Sequence, residues 1–87
     1  MPTYYRLTAM EILTLQEGAK IWPSIVENQN AKKAILYAKI AEKMHTTTPA
    51  VRNRFSRVRK RYDRANAFGE EYRDFKKKLN IKGTRVL

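Results

Sequence analysis

The chain has 87 residues, a formal net charge of +11 and no cysteine. This length allows one small domain, and the absence of cysteine excludes disulfide bonds and cysteine-bound zinc. No apolar run reaches membrane-spanning length and no secretory leader is recognisable, so the sequence predicts an intracellular protein that does not bind a membrane. The large positive charge predicts an anionic partner, with nucleic acid ahead of an acidic protein.

The first predicted helix begins after a capping box. In the sequence TAME, Thr8 is the expected N-cap and Glu11 the residue whose side chain reaches back to it. Apolar residues at three- and four-residue steps extend this helix over residues 9–22. Pro23 is expected to bend or end it, and the alternative is that PSIVE adds one further turn. Residues 1–8 then form an N-terminal arm, in which TYYRL is the one strand candidate.

A second helix is predicted after the polar turn ENQN. Asn30 is its expected N-cap, and the helix covers about residues 31–44. Ile35 lies off its apolar stripe and needs a separate neighbour. The stripe consists of Ala34, Tyr37, Ala38, Ile40, Ala41 and Met44.

The third predicted helix follows the short connection HTTTPA. Thr48 is its expected N-cap and Pro49 its first residue, because proline is preorganised for that position. The helix extends over residues 49–67, with Gly69 as its stop signal. At about 100° per residue, four apolar side chains fall in one narrow stripe that must face a core. They are Val51, Phe55, Val58 and Tyr62.

A fourth helix is predicted for Glu70–Leu79, followed by a loose tail. Tyr72, Phe75 and Leu79 form an apolar stripe, which we expect to dock onto the first two helices; the alternative is a homodimer surface. The sequence therefore predicts an all-α fold, a three-helix helix-turn-helix bundle over residues 9–67 with an additional C-terminal helix and tail over residues 68–87.

The third helix is unusually basic. Seven of the thirteen residues in 52–64 are lysine or arginine, and six of the seven are arginine. A solvated helix face usually mixes charges of both signs, since such pairs support the helix. Arginine also suits phosphates and guanine edges through its planar fork of donors. This helix is therefore predicted to enter the major groove of double-stranded DNA, and the alternative is an acidic chromatin protein as partner.

The position of each polar residue on the third helix predicts its role. Outward residues of the first two turns reach base edges in helix-turn-helix proteins, and later ones meet the backbone. The base-reading candidates are Arg52, Asn53, Ser56 and Arg57. Threonine hydroxyls before the helix also donate to phosphate. The phosphate-binding candidates are Thr46, Thr47, Arg59, Lys60, Arg61 and Arg64.

Residue patterns typical of catalysis are missing from the sequence. His45 is the single histidine and lies in a turn, and there is no glycine-rich phosphate loop or serine paired with a base at a recognisable spacing. The chain is therefore predicted not to be an enzyme, with no catalytic residue, cofactor or metal site.

Three motifs together resemble MADF domains, which are Myb/SANT-related DNA-binding modules. The family's third helix follows V-x-x-[KR]-W-x-x-L-R-x-x-Y, and its places are taken here by Val51, Arg54, Phe55, Val58, Arg59 and Tyr62. LYAKIA at residues 36–41 is similar to the family's A-W-x-x-I-A, and WPSIVE at residues 22–27 to its aromatic-P-x-L-W-[DE]. Each expected tryptophan is replaced, by Val26, Tyr37 and Phe55. The resemblance implies a nuclear protein that acts in transcription or chromatin regulation.

Overall fold

The computed structural model is an all-α bundle of four helices. It describes residues 7–28, 32–65 and 70–87, and for residues 63–65 it describes the backbone alone. The helices are α1 (Ala9–Glu27), α2 (Lys33–Lys43), α3 (Thr48–Ala65) and α4 (Glu70–Leu79). No strand occurs in the described ranges. The predicted all-α class and the predicted bounds of α4 are confirmed. Asn30, Gly69 and most of TYYRL lie outside the described residues.

The helix α1 begins at the predicted capping box but continues through Pro23. The Thr8 backbone N–H donates to Glu11 Oε1 at 2.9 Å, and the Glu11 N–H donates to Thr8 Oγ1 at 3.1 Å. The helix does not end near Trp22 but reaches Glu27, so PSIVE adds the further turn that the sequence allowed. Proline costs a helix one hydrogen bond. Burial of Trp22 and Ile25 on either side of Pro23 offsets that cost, because both side chains belong to the core.

The helix α2 is shorter than predicted, and its buried stripe agrees with the predicted one at Tyr37, Ile40 and Ala41 but differs elsewhere. It begins at Lys33, and the preceding Lys32 provides no side-chain cap. Ala34 and Ala38 were expected in the core but are exposed. Leu36, which was not on the predicted stripe, is fully buried. The inward face is therefore rotated toward Leu36, because a larger side chain gains more from burial than alanine does.

Gly18 on α1 marks the centre of the bundle. A Cβ atom at this position would lie 3.4 Å from side chains of the three other helices, namely Ile40, Phe55 and Leu79. The core predicted from the apolar stripes is confirmed, since one cluster contains Trp22, Tyr37, Phe55, Val58 and Tyr62. The Tyr37 and Phe55 rings lie 5.1 Å apart, which joins α2 to α3.

The helix α4 docks onto the bundle through its predicted stripe. Tyr72, Phe75 and Leu79 are all buried, and α4 packs along α1. The Tyr72 ring stacks on Tyr62 of α3 with centroids 4.3 Å apart, so α3 is a neighbour that the sequence did not predict. This stripe is covered within the chain.

The tail after α4 is folded back into the core, and the prediction of a loose tail was wrong. Val86 and Leu87 are fully buried. The Asn80 Oδ1 atom accepts from the backbone N–H groups of both residues, at 2.8 and 2.9 Å. The Trp22 indole N–H donates to Thr84 Oγ1 at 3.2 Å. These contacts attach the tail to α1 and α4, which local sequence patterns do not reveal.

Candidate nucleic-acid interface

The buried stripe of α3 determines which of its polar side chains face outward. Val51, Phe55, Val58 and Tyr62 are each at most 4% exposed. On the opposite side, Asn53, Arg57 and Lys60 are exposed and Ser56 is half-buried. We call these four residues the outer face of α3. They are the residues that a ligand lying along the helix would meet first.

The basic side chains of α3 are largely free of ion pairs. Among the side chains that the structure describes, Arg61 is the one cation of α3 in a salt bridge. Arg57 and Lys60 on the outer face have no acidic partner within the described part of the chain. The phosphate-binding candidate Arg64 has a side chain outside that part. The predicted cationic surface is therefore present and available to an external anion.

Arg61 and Arg54 lie on the side of α3 that faces α1. The Arg61 guanidinium forms a salt bridge of 3.1 Å with Glu11 Oε1, and Arg54 Nη1 donates to Thr14 Oγ1 at 3.4 Å. From the sequence, Arg61 was predicted to bind a phosphate and Glu11 only to cap α1. The ion pair joins residues fifty positions apart, so no local pattern predicts it. It places Arg61 at the edge of the basic surface, where it also fixes α3 against α1.

The Glu11 carboxylate is held in its charged form. Burial by itself raises the pKa of Glu11, but hydrogen bonds from the Thr8 backbone and from Arg61, with the attraction of the Arg61 charge, outweigh it. The net result is a pKa below the ordinary value for glutamate. A lowered carboxyl pKa stabilises the fold above the unfolded-state pKa, and this contribution is lost as the pH falls through the folded-state value.

The Glu11→Gln substitution tests this linkage. We expect it to lower the free energy of unfolding at pH 7 by about 1–2 kcal/mol, since a charge-assisted hydrogen bond is lost. The difference from the wild type should shrink as the pH falls below about 4, the ordinary range of glutamate. Urea denaturation followed by circular dichroism at several pH values measures both effects.

The control for this experiment is Glu17→Gln. The partner of Glu17 is Lys20, which is 73% exposed and 3.7 Å away, so the loss of this pair should change stability little. If Glu11→Gln were equally neutral at pH 7, the Glu11–Arg61 pair would not hold α3 in place.

On the other side of α3, Arg52 and Arg59 lie one helical turn before and after Phe55, whose ring contacts Tyr37 of α2. Burial raises the pKa of the Tyr37 hydroxyl, while the positive charges of Arg59 and Arg52 oppose this shift. The hydroxyl therefore stays protonated at neutral pH and is a hydrogen-bond donor. Arg52 is exposed and Arg59 is half-buried. From the sequence, Tyr37 was predicted only as a core residue, and its place on the same side of the bundle as these two cations was not.

The turn between α2 and α3 ends one helix and begins the next. His45 has a φ of 54°, the His45 N–H donates to the Glu42 carbonyl, and the Thr46 N–H donates to the Ala41 carbonyl. This is a Schellman motif with histidine at the place where glycine is usual. The imidazole is exposed, so His45 serves the turn through its backbone.

The N-cap of α3 differs from the predicted one. Thr47 Oγ1 accepts from the Ala50 N–H at 3.3 Å, and Thr48 is the first helical residue. The prediction that Thr48 caps the helix was wrong by one position. The Thr47 oxygen therefore accepts this hydrogen bond, and the hydroxyl hydrogen of this phosphate-binding candidate can still be donated. Thr46 is half-buried, and its backbone N–H is already bonded.

Within the described ranges, no group of three or more histidine, cysteine, aspartate or glutamate residues is placed to hold a metal ion. None of the described helices is both long enough and apolar enough to span a membrane.

In comparisons with known proteins, no protein-family model matches the chain, and no curated protein or solved structure is significantly similar. The resemblance to MADF and Myb/SANT-like domains therefore stays a prediction that rests on its three motifs.

Proposed function

We propose that this protein is a nuclear DNA-binding domain of a transcription or chromatin regulator, and a divergent relative of the Myb/SANT-like class. The observation that carries the proposal is the free cationic surface of α3. Six of its basic side chains are described, and only Arg61 is in an ion pair with another described residue. Like charges three and four residues apart cost stability in the free protein. A phosphate backbone removes that repulsion and releases counterions.

The connection between α2 and α3 supports the choice of duplex DNA. Four residues, 44–47, separate the two helices, which is the turn length typical of helix-turn-helix proteins. In that class the second helix of the motif lies in the major groove and its early residues contact bases. By this analogy α3 would be the reading helix.

The outer face of α3 would then divide between bases and backbone. Asn53 and Arg57 are exposed in its first turns, where asparagine binds adenine and arginine binds guanine through paired hydrogen bonds. Ser56 lies beside them. Lys60, one turn after Arg57, would hold a phosphate and contribute affinity without sequence preference.

A selection from random duplex DNA tests this division. The wild type should enrich one motif, and Asn53→Ala and Arg57→Ala should each relax it at a different position, with a loss of about 1–3 kcal/mol of discrimination per contact. Lys60→Ala is the matched control, since it should weaken binding to all sequences while leaving the motif unchanged.

Two results would contradict the proposal. If the wild type enriched no motif, α3 would not read bases. If both alanine variants enriched the wild-type motif unchanged, base reading would have to be assigned to other residues.

A further inference from the structure

Core packing alone does not explain why residue 37 on α2 is a tyrosine. Its ring packs on Phe55, with centroids 5.1 Å apart, and the residue is only 7% exposed. Among the described residues, however, its hydroxyl has no hydrogen-bond partner, and it is not one of the enclosed unbonded atoms. A phenylalanine would pack equally well here. Tyr37 is therefore a mostly buried side chain whose hydroxyl is accessible at the surface.

Two cations of α3 lie on the side of the helix that faces Tyr37. Arg52 and Arg59 are seven residues apart, so they lie on the same side of α3 about two turns, or roughly 10 Å, from each other. They come three residues before and four residues after Phe55, the residue that the Tyr37 ring contacts, so each lies one helical turn from that contact. Neither is in a salt bridge with another described side chain, and both positive charges act on the pKa of the Tyr37 hydroxyl. A neutral donor and two guanidinium groups without a salt bridge among the described residues thus lie at one edge of the contact between α2 and α3. Such a set of donors without an acceptor suits a phosphate group.

We propose that Tyr37, Arg52 and Arg59 form a binding site for one backbone phosphate at the junction of α2 and α3. This site rests on the proposed function and extends it, because it makes α2 part of the DNA-binding surface. The Tyr37 hydroxyl donates one directed hydrogen bond to a phosphate oxygen, and the two arginines supply charge. The rigid packing of the ring on Phe55 positions that donor before DNA binds. The site also assigns Arg52 to the backbone rather than to the bases.

The test is Tyr37→Phe, which removes the hydroxyl and keeps the ring. Binding to a fixed duplex at one salt concentration should weaken about tenfold, in the range for a hydrogen bond to a charged group. The slope of log K against log salt should not change, since no charge is removed. Arg59→Ala should weaken binding too, but should reduce that slope by about 0.9. The double variant should lose less affinity than the product of the two single losses, because both residues hold the same phosphate.

Tyr62→Phe is the matched control. Tyr62 is also a buried tyrosine, but its ring stacks on Tyr72 of α4 on another side of α3. The affinity of the Tyr62→Phe variant for the duplex should equal that of the wild type. Thermal unfolding of all variants shows whether a loss of binding is a loss of folding. A set of duplexes, each with one neutral methylphosphonate linkage, then locates the phosphate. At that position the neutral linkage should weaken binding of the wild type but not of Tyr37→Phe.

The outcomes separate this site from the proposed function. If the wild type binds DNA and folded Tyr37→Phe binds it equally well, the phosphate site is wrong and DNA binding by α3 stands. If the wild type does not bind duplex DNA at all, the proposed function fails and the site fails with it.

Discussion

Replacing Phe55 with alanine should remove most of the stability of this domain. Phe55 is 1% exposed, contacts the Tyr37 ring and lies at the point where the other helices meet Gly18. Loss of a buried aromatic ring costs about 3–5 kcal/mol, through lost burial and the cavity left behind. Small domains have a free energy of unfolding of about 5–15 kcal/mol, so the loss is a large part of the total. Urea denaturation followed by circular dichroism measures it.

Two further variants make this result interpretable. Phe55→Leu keeps much of the side-chain volume and should cost clearly less than Phe55→Ala. Leu13→Ala removes an apolar side chain that is 52% exposed and should leave stability nearly unchanged. An unchanged unfolding midpoint in Phe55→Ala would mean that α2 and α3 do not share the core described above.

The second large effect is expected from reversing charge on the outer face of α3. If α3 neutralises roughly five to eight phosphates, log K for duplex DNA should fall with log salt at a slope of about −4 to −7. Replacing Arg57 and Lys60 together with glutamate should weaken binding to every duplex and reduce that slope by at least about 0.9, since Lys60 no longer holds a phosphate and the two carboxylates repel the backbone. Folding should be retained, because the substitutions also remove repulsion among neighbouring cations. Fluorescence titration over a range of salt concentrations measures the affinity and the slope.

The control changes the same net charge elsewhere. Lys20 and Lys82 are exposed on α1 and in the C-terminal segment, and their joint replacement with glutamate should change affinity far less. If both double variants weakened binding equally, the effect would come from net charge and not from α3. A flat salt response with millimolar affinity for DNA would instead favour the alternative partner, an acidic chromatin protein, and a titration with an acidic polypeptide would then show the tighter binding.

The salt bridge between Arg61 and Glu11 links stability to the orientation of this surface. It joins α3 to the first turn of α1, on the side away from Tyr37. The buried stripe of α3 sets its rotation about its own axis, and Arg61 adds a polar contact at one edge. The outer face is thus held by the core rather than by its own residues, so its side chains are free to contact a ligand.

Local sequence patterns determined much of the helical content. The capping box at Thr8 and Glu11 predicted the start of α1, because both partners lie within one helical turn. The apolar period of α3 predicted its buried stripe, and with it the residues that face outward. The bounds of α4 agree with its predicted range for the same reason. These features depend on residues three to seven positions apart.

Tertiary contacts decided the features that the sequence patterns did not reveal. The continuation of α1 through Pro23 depends on burial of Trp22, whose indole N–H donates to Thr84, sixty-two positions away. Partners from distant segments also decide three other features, namely the burial of Leu87, the Glu11–Arg61 ion pair and the position of Tyr37 beside Arg59. Periodicity and capping report which residues share a helix face, but not which face of another helix will cover it. That choice is made by the shape and burial of the complete core.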